Sequence, residues 1–176
     1  MEEGFHIVDL FSGIGLGATR AALAAGLRVR LVLCAERDPI SNRINEGVIE
    51  KLILEYPGQI NRGAFIGWEK RLPQDVGLIG EMALVNLIAQ NGEVDILGAG
   101  WECQSISRGG RQEGYADRRF QYFYDLVRIL GCVQHHQDRS PIYFLENTYP
   151  GELAKMPESA QKTARLIVSF IVRSGI

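Results

Sequence analysis

Four short apolar runs, each followed by a segment of helical periodicity, most constrain how this chain can fold. The runs cover residues 6–11, 29–35, 94–98 and 142–145, and the segments between them have helix length at 18–25, 40–55, 78–90 and 120–133. A further helical segment covers residues 159–173. Strands alternating with helices of this length imply an α/β fold built on a doubly wound, mostly parallel sheet covered on both faces. Gly26 suits the position just past the first helix, where a left-handed conformation ends the element. Residues 57–71 are poorly periodic, with Ala64-Phe65-Ile66 as a candidate short strand. At 176 residues the chain is expected to form one domain, 1–176, around one core.

Composition narrows the class. With 46% hydrophobic residues, 23% charged residues and a net charge of −2, the chain reads as an ordinary globular protein. No apolar run approaches the ~20 residues of a membrane span, and Met1-Glu2-Glu3-Gly4 lacks the basic start of a secretory signal. Cys34, Cys103 and Cys132 are odd in number and lack metal-ligand spacing, which argues for a reducing compartment and against a disulfide framework, with no metal expected. Cys34 and Cys132 lie in apolar strand and helix patterns and are expected in the core. His135-His136 reads as a surface pair at a helix end, where cations suit the dipole.

Chemistry in such sheets gathers at the carboxyl ends of strands. Asp9-Leu10-Phe11-Ser12-Gly13-Ile14-Gly15-Leu16-Gly17 puts a glycine turn after the first strand, where backbone approaches a ligand closely and a helix N-terminus offers free N–H groups. The spacing is not that of a dinucleotide site. Glu36 follows the second strand, about 20 positions on, and is placed to accept ribose hydroxyls. The third run breaks into Gly98-Ala99-Gly100-Trp101-Glu102-Cys103-Gln104-Ser105-Ile106-Ser107, which presents a thiol at a strand end. Glu146 ends the fourth run. A carboxyl there is costly without a partner or a task, and a thiol with a nearby acid is a nucleophile-plus-acid pair.

These motifs, in this order, resemble the cytosine-C5 DNA methyltransferases. The glycine turn is similar to their cofactor motif, the loop at Cys103 to their catalytic loop, residues 110–129 to the stretch after it, and Phe144-Leu145-Glu146-Asn147 to their Glu-Asn motif. The resemblance implies a methyltransferase-type sheet, S-adenosylmethionine as cofactor and DNA as substrate, in a restriction–modification setting. It implies Cys103, Glu146 and Asn147 as catalytic residues. Cys103 adds to cytosine C6 while Glu146 engages N3 and the exocyclic amine. C5 then takes the methyl group, and loss of its proton expels the thiol. The base must leave the stack to be reached. The cofactor would be held by Asp9, Phe11, Ser12, Gly13, Gly15, Glu36 and Arg37, with Asp75 on the adenine amine beside Val76, and Tyr122 as a further contact. Gln104, Ser107, Arg108 and Arg111 would meet the substrate.

Three departures from the family pattern stand out. Glu102 replaces a proline before the nucleophile, which removes a stiff φ and sets a negative charge beside the thiol. Arg37 replaces an aromatic residue, and its guanidinium can stack on adenine instead. The family pattern continues past the Glu-Asn motif with further strands and a recognition domain, so the chain is expected to be truncated before its last strands, with 142–145 left as an apolar sheet edge. A second chain supplying those parts is one expectation. A non-catalytic cofactor- or partner-binding remnant and an RNA methyltransferase of the same fold are the others. The expected location is the cytoplasm of a bacterium, with the nucleoid of host or phage, or the nucleus of a eukaryote.

Overall fold

A computed structural model describes residues 3–65, 72–100, 118–146 and 158. Strands β1 (Phe5–Leu10), β2 (Val29–Ala35), β3 (Ile96–Gly100) and β4 (Ile142–Glu146) form one sheet in the order β2-β1-β3-β4. β1 runs parallel to both β2 and β3. The Ile142 N–H donates to the Asp95 carbonyl at 2.8 Å, so β3 and β4 begin side by side and run the same way. The chain goes from β1 to one side, then returns past it, and the carboxyl ends of β1 and β3 flank the point of reversal. β1 is central and buried from His6 to Leu10, as a strand covered on both faces must be.

The helices are α1 (Gly17–Ala24), α2 (Pro39–Glu55), α3 (Glu81–Asn91) and α4 (Gln121–His135). Among the described residues, none is long and apolar enough to cross a membrane. α1 ends as its sequence requires. Gly26 takes φ 82°, its N–H reaches the Leu23 carbonyl, and the Leu27 N–H reaches that of Ala22. α2 starts on Asp38, whose carboxylate accepts from the Ile40 and Ser41 N–H groups, with Pro39 at the first helical position.

One sequence expectation fails. Ala64 and Phe65 are not in a strand. Residues Arg62–Phe65 form a 3₁₀ turn, fixed by the Ala64 N–H on the Asn61 carbonyl and by an ion pair from Arg62 to Glu50. The fourth strand is an exposed apolar sheet edge, as expected. Ile142 is 59% and Phe144 42% exposed, and no residue of β4 is fully buried. β4 is the outermost described strand and has a neighbour on one side only.

The chain divides into two compact units, Met1–Gly100 with Leu126–Leu145, and Trp101–Asp125 with Glu146–Ile176. The first contains nearly the whole sheet. In the second, the 3₁₀ turn Arg118–Phe120 leads into α4, and Phe120 stacks on Phe123 at 5.2 Å between ring centres. Tyr124 meets Phe120 edge-on at 5.3 Å.

Candidate cofactor site at the end of the first strand

After β1 the backbone cannot turn into α1 without left-handed residues. Phe11 (φ 51°), Gly13 (50°), Gly15 (122°) and Leu16 (54°) all take positive φ. Two of these carry side chains, a conformation that costs energy and persists only where the surroundings enforce it.

The enforcement comes from two other elements. On α2, Asn45 is fully buried; its Oδ1 accepts from the Gly15 N–H at 3.0 Å and its Nδ2 donates to the Gly13 carbonyl at 2.8 Å. At the end of β2, Glu36 Oε2 accepts from the Gly13 N–H at 2.9 Å and Oε1 from the Asp38 N–H at 2.7 Å. The loop is therefore clamped at both glycines. Asn45 was missed from sequence, since a polar residue within a helix reads as solvent-facing. The available signal was its spacing of four and seven from the buried Ile49 and Leu52.

Asp9 lies beneath this loop. Buried at the N-terminus of α1, it accepts from the Thr19 N–H and hydroxyl, both at 3.4 Å. Burial pushes its carboxyl up to about 6, against the opposing pull of the Thr19 and Ala18 hydrogen bonds. It braces α1 from behind. Facing it across β3, Gly98 leaves no room for a side chain: a Cβ there would lie 2.2 Å from the Ala18 Cβ and 3.3 Å from Asp9 Oδ1. Cys34, opposite Asp9 on β2, is buried, and desolvation holds its thiol well above the ordinary range. It belongs to the core, as expected.

The other expected cofactor residues of this unit converge here. Arg37 follows Glu36, and its guanidinium approaches the Asp75 carboxylate at 3.9 Å. Asp75 does not end a strand. It caps the 3₁₀ turn Val76–Leu78, accepting from the Gly77 N–H at 3.0 Å, while Val76 is buried. Two buried polar atoms nearby lack partners among the described residues, Ser12 Oγ and Gln74 Oε1. A carboxylate has about four acceptor positions, so Glu36 retains capacity after its two backbone bonds. An open glycine turn, an unpartnered hydroxyl and spare carboxylate acceptors fit a ligand carrying amino and hydroxyl donors, such as an amino-acid–nucleoside conjugate.

The remaining sequence candidates are distributed differently. Glu146 is the exposed last residue of β4, and Tyr122 is half-buried in the first turn of α4. Cys103, Gln104, Ser107, Arg108, Arg111 and Asn147 lie outside the described residues, as do Trp101, Glu102 and residues 159–173. Cys132, expected in the core, is only half-buried. It sits near the end of an amphipathic helix, beside the charged groups of Glu81 and Arg128.

Similarity to known proteins agrees with this arrangement. The model of the C-5 cytosine-specific DNA methylase family matches residues 60–150. The chain is 26% identical over 82% of its length to the Type II methyltransferase M.HhaI of Haemophilus parahaemolyticus. It is 30% identical over 81% to M.AluI of Cellulosimicrobium cellulans, and 32% over 80% to M.BanI of Aneurinibacillus aneurinilyticus. The matched portions amount to 34%, 22% and 26% of those proteins, so the chain spans only about a third to a fifth of each. A family match across more than half of the residues, on a sheet of this order, makes the chain a member of the C-5 cytosine-specific DNA methylase family.

Proposed function

We propose that this chain binds S-adenosylmethionine in the clamped glycine loop and carries the nucleophile for methylation of cytosine C5 in DNA. The observation that carries the reading is the loop itself. Gly13 and Gly15 are fixed by Glu36 and Asn45, with the Ser12 hydroxyl unpartnered beside them. Bound there, the cofactor supplies the methyl group. Phe11, Ser12, Gly13 and Gly15 line it, Glu36 accepts from its ribose, and Arg37, Asp75 and Val76 lie toward the base, with Tyr122 as a further contact. Asp9 acts through α1, as a positioning residue.

On the substrate side, Cys103 supplies the thiolate that adds to C6 of a flipped cytosine. Glu146 and Asn147 hold the ring edge, and the carboxyl at N3 makes C6 more electrophilic. Gln104, Ser107, Arg108 and Arg111 contact the flipped nucleotide and its phosphates. Segments that the longer relatives possess complete the enzyme, supplied in the same polypeptide or by a second chain. The exposed apolar face of β4 favours such a partner.

The test uses duplex DNA containing 5-fluorocytosine, in which fluorine blocks the loss of the C5 substituent and traps the adduct. With S-adenosylmethionine, and with a chain carrying the complementary segments added, a covalent protein–DNA band is expected on denaturing gels and is lost in Cys103→Ser. A parallel calorimetric titration with S-adenosylmethionine alone separates cofactor binding from catalysis. Heat of binding without any adduct would leave a cofactor-binding protein, and an adduct on RNA alone would change the substrate.

A further inference from the structure

The Glu81, Cys132 and His136 side chains meet on the face of the first unit formed by α3 and the end of α4. Their ligand atoms all lie within 4.8 Å of one another. Cys132 lies in the last turn of α4 and His136 just past its end, four residues on, on the same side. The last turn is held by the His136 N–H on the Cys132 carbonyl at 3.1 Å. Glu81 is the first residue of α3, and its Oε1 lies 2.8 Å from His136 Nε2. None of these residues belongs to the cofactor loop or to the expected catalytic set.

We propose that Glu81, Cys132 and His136 form a binding site for a zinc-class divalent cation. A thiolate, an imidazole nitrogen and a carboxylate oxygen are the donor types that such an ion takes, with water in the fourth position of a tetrahedron. Metal–ligand bonds of about 2.0–2.3 Å need ligand atoms roughly 3.2–3.8 Å apart. The cluster is loose by about 1 Å on its longest side, which side-chain rotation closes. Glu81 is 67% exposed and His136 28%, so the ion has an open path and the ligands have room to move.

Binding exchanges one set of bonds for another. The Cys132 S–H loses its proton to solvent and the thiolate sulfur donates its pair to the metal. The His136–Glu81 hydrogen bond opens, the Nε2 proton passes through solvent to Nδ1, and His136 Nε2 and a Glu81 oxygen each take a coordination position, while the aqua ion keeps one water and releases the others. Burial and the Glu81 charge hold the Cys132 thiol above its ordinary range, against the weaker pull of Arg128, so the ion must displace that proton. Arg128 donates to the Ile79 carbonyl at 2.6 Å. His135 is exposed, with its ring 4.8 Å from that of His136, and does not complete the triad of converging atoms. The site links the start of α3 to the end of α4.

Titration of the full chain with Co²⁺, under a non-thiol reductant, reads the site directly. One equivalent should develop a thiolate-to-cobalt charge-transfer band and the visible bands of tetrahedral cobalt, and Zn²⁺ should displace both. Cys132→Ser should abolish the charge-transfer band. Cys103→Ser should retain it. Glu81→Gln, a change at an exposed position, should weaken binding at least tenfold. No charge-transfer band in the parent chain, or the same band in Cys132→Ser, overturns the proposal, as does unchanged affinity in Glu81→Gln. Cofactor binding is not part of this readout, so failure of the metal site leaves the proposed function untouched.

Discussion

Asn45 shows how a single amide can set the shape of a glycine loop. It is fully buried, donates to one glycine and accepts from another. Replacing it with alanine leaves the Gly15 N–H without its partner inside the protein, at a cost of about 1–3 kcal/mol. The strained Phe11 and Leu16 conformations would then relax. Asn45→Ala should lower stability to urea by about 2 kcal/mol and weaken S-adenosylmethionine binding at least tenfold by calorimetry. A weakened fold with unchanged cofactor affinity would show that the loop keeps its shape without the amide. Glu36 acts on the same loop, so its variants should not be additive with those of Asn45.

At the scale of elements, the fit of α1 against β3 rests on Gly98. A methyl group at this position would overlap the Ala18 Cβ at 2.2 Å, and because an alanine side chain cannot rotate aside, backbone must shift. Overpacking of this kind costs about 1–3 kcal/mol, more where backbone must move. Gly98→Ala should therefore lose at least 3 kcal/mol in equilibrium unfolding, and a loss below 1 kcal/mol would mean that α1 is free to shift. Most of these elements were legible in the sequence. Period-two and period-3.6 patterns located β1, β2 and the four helices within a few residues, because burial repeats with the geometry of each element. Glu36 and the glycine turn were legible too, since strand ends and glycine runs have fixed places in such sheets. The 3₁₀ turns at Arg62–Phe65 and at Asp75 were not, because a turn this short has no period to detect. The exposed edge at β4 was expected from the family pattern, although its apolar residues alone carry no record of whether a neighbouring strand covers them.

At the scale of the whole molecule, two buried titratable groups set opposing dependences on pH. His6, fully buried at the start of β1, donates from Nδ1 toward the Gly92 and Glu93 carbonyls. Burial, with the nearby Arg30 charge, holds it down to about 4 from an ordinary 6.5. The unfolded chain therefore binds a proton before the folded one does. His6 contributes its full stability above pH 6.5 and loses it as pH falls toward 4, about 3 kcal/mol in all. Asp9 does the reverse. Raised to about 6 from 3.8, it favours the folded state when protonated, and that gain disappears as pH rises through 6. Between pH 6 and 4 the two contributions largely cancel. Asp9→Asn should expose the His6 dependence, losing about 3 kcal/mol more than the parent over this interval in urea titrations. Parallel pH profiles for the two proteins would show that the Asp9 carboxyl stays ionised in the fold.

The clamp on the glycine loop also works in the opposite direction. Its anchors stand on β2 and α2, so any ligand that prefers the clamped loop must, by reciprocity, favour the docked positions of those elements to the same degree. The loop thus converts occupancy into local order. A ligand held in the loop would order the connection between β2 and α2 around Asp38, and α2 would carry that order to its far side.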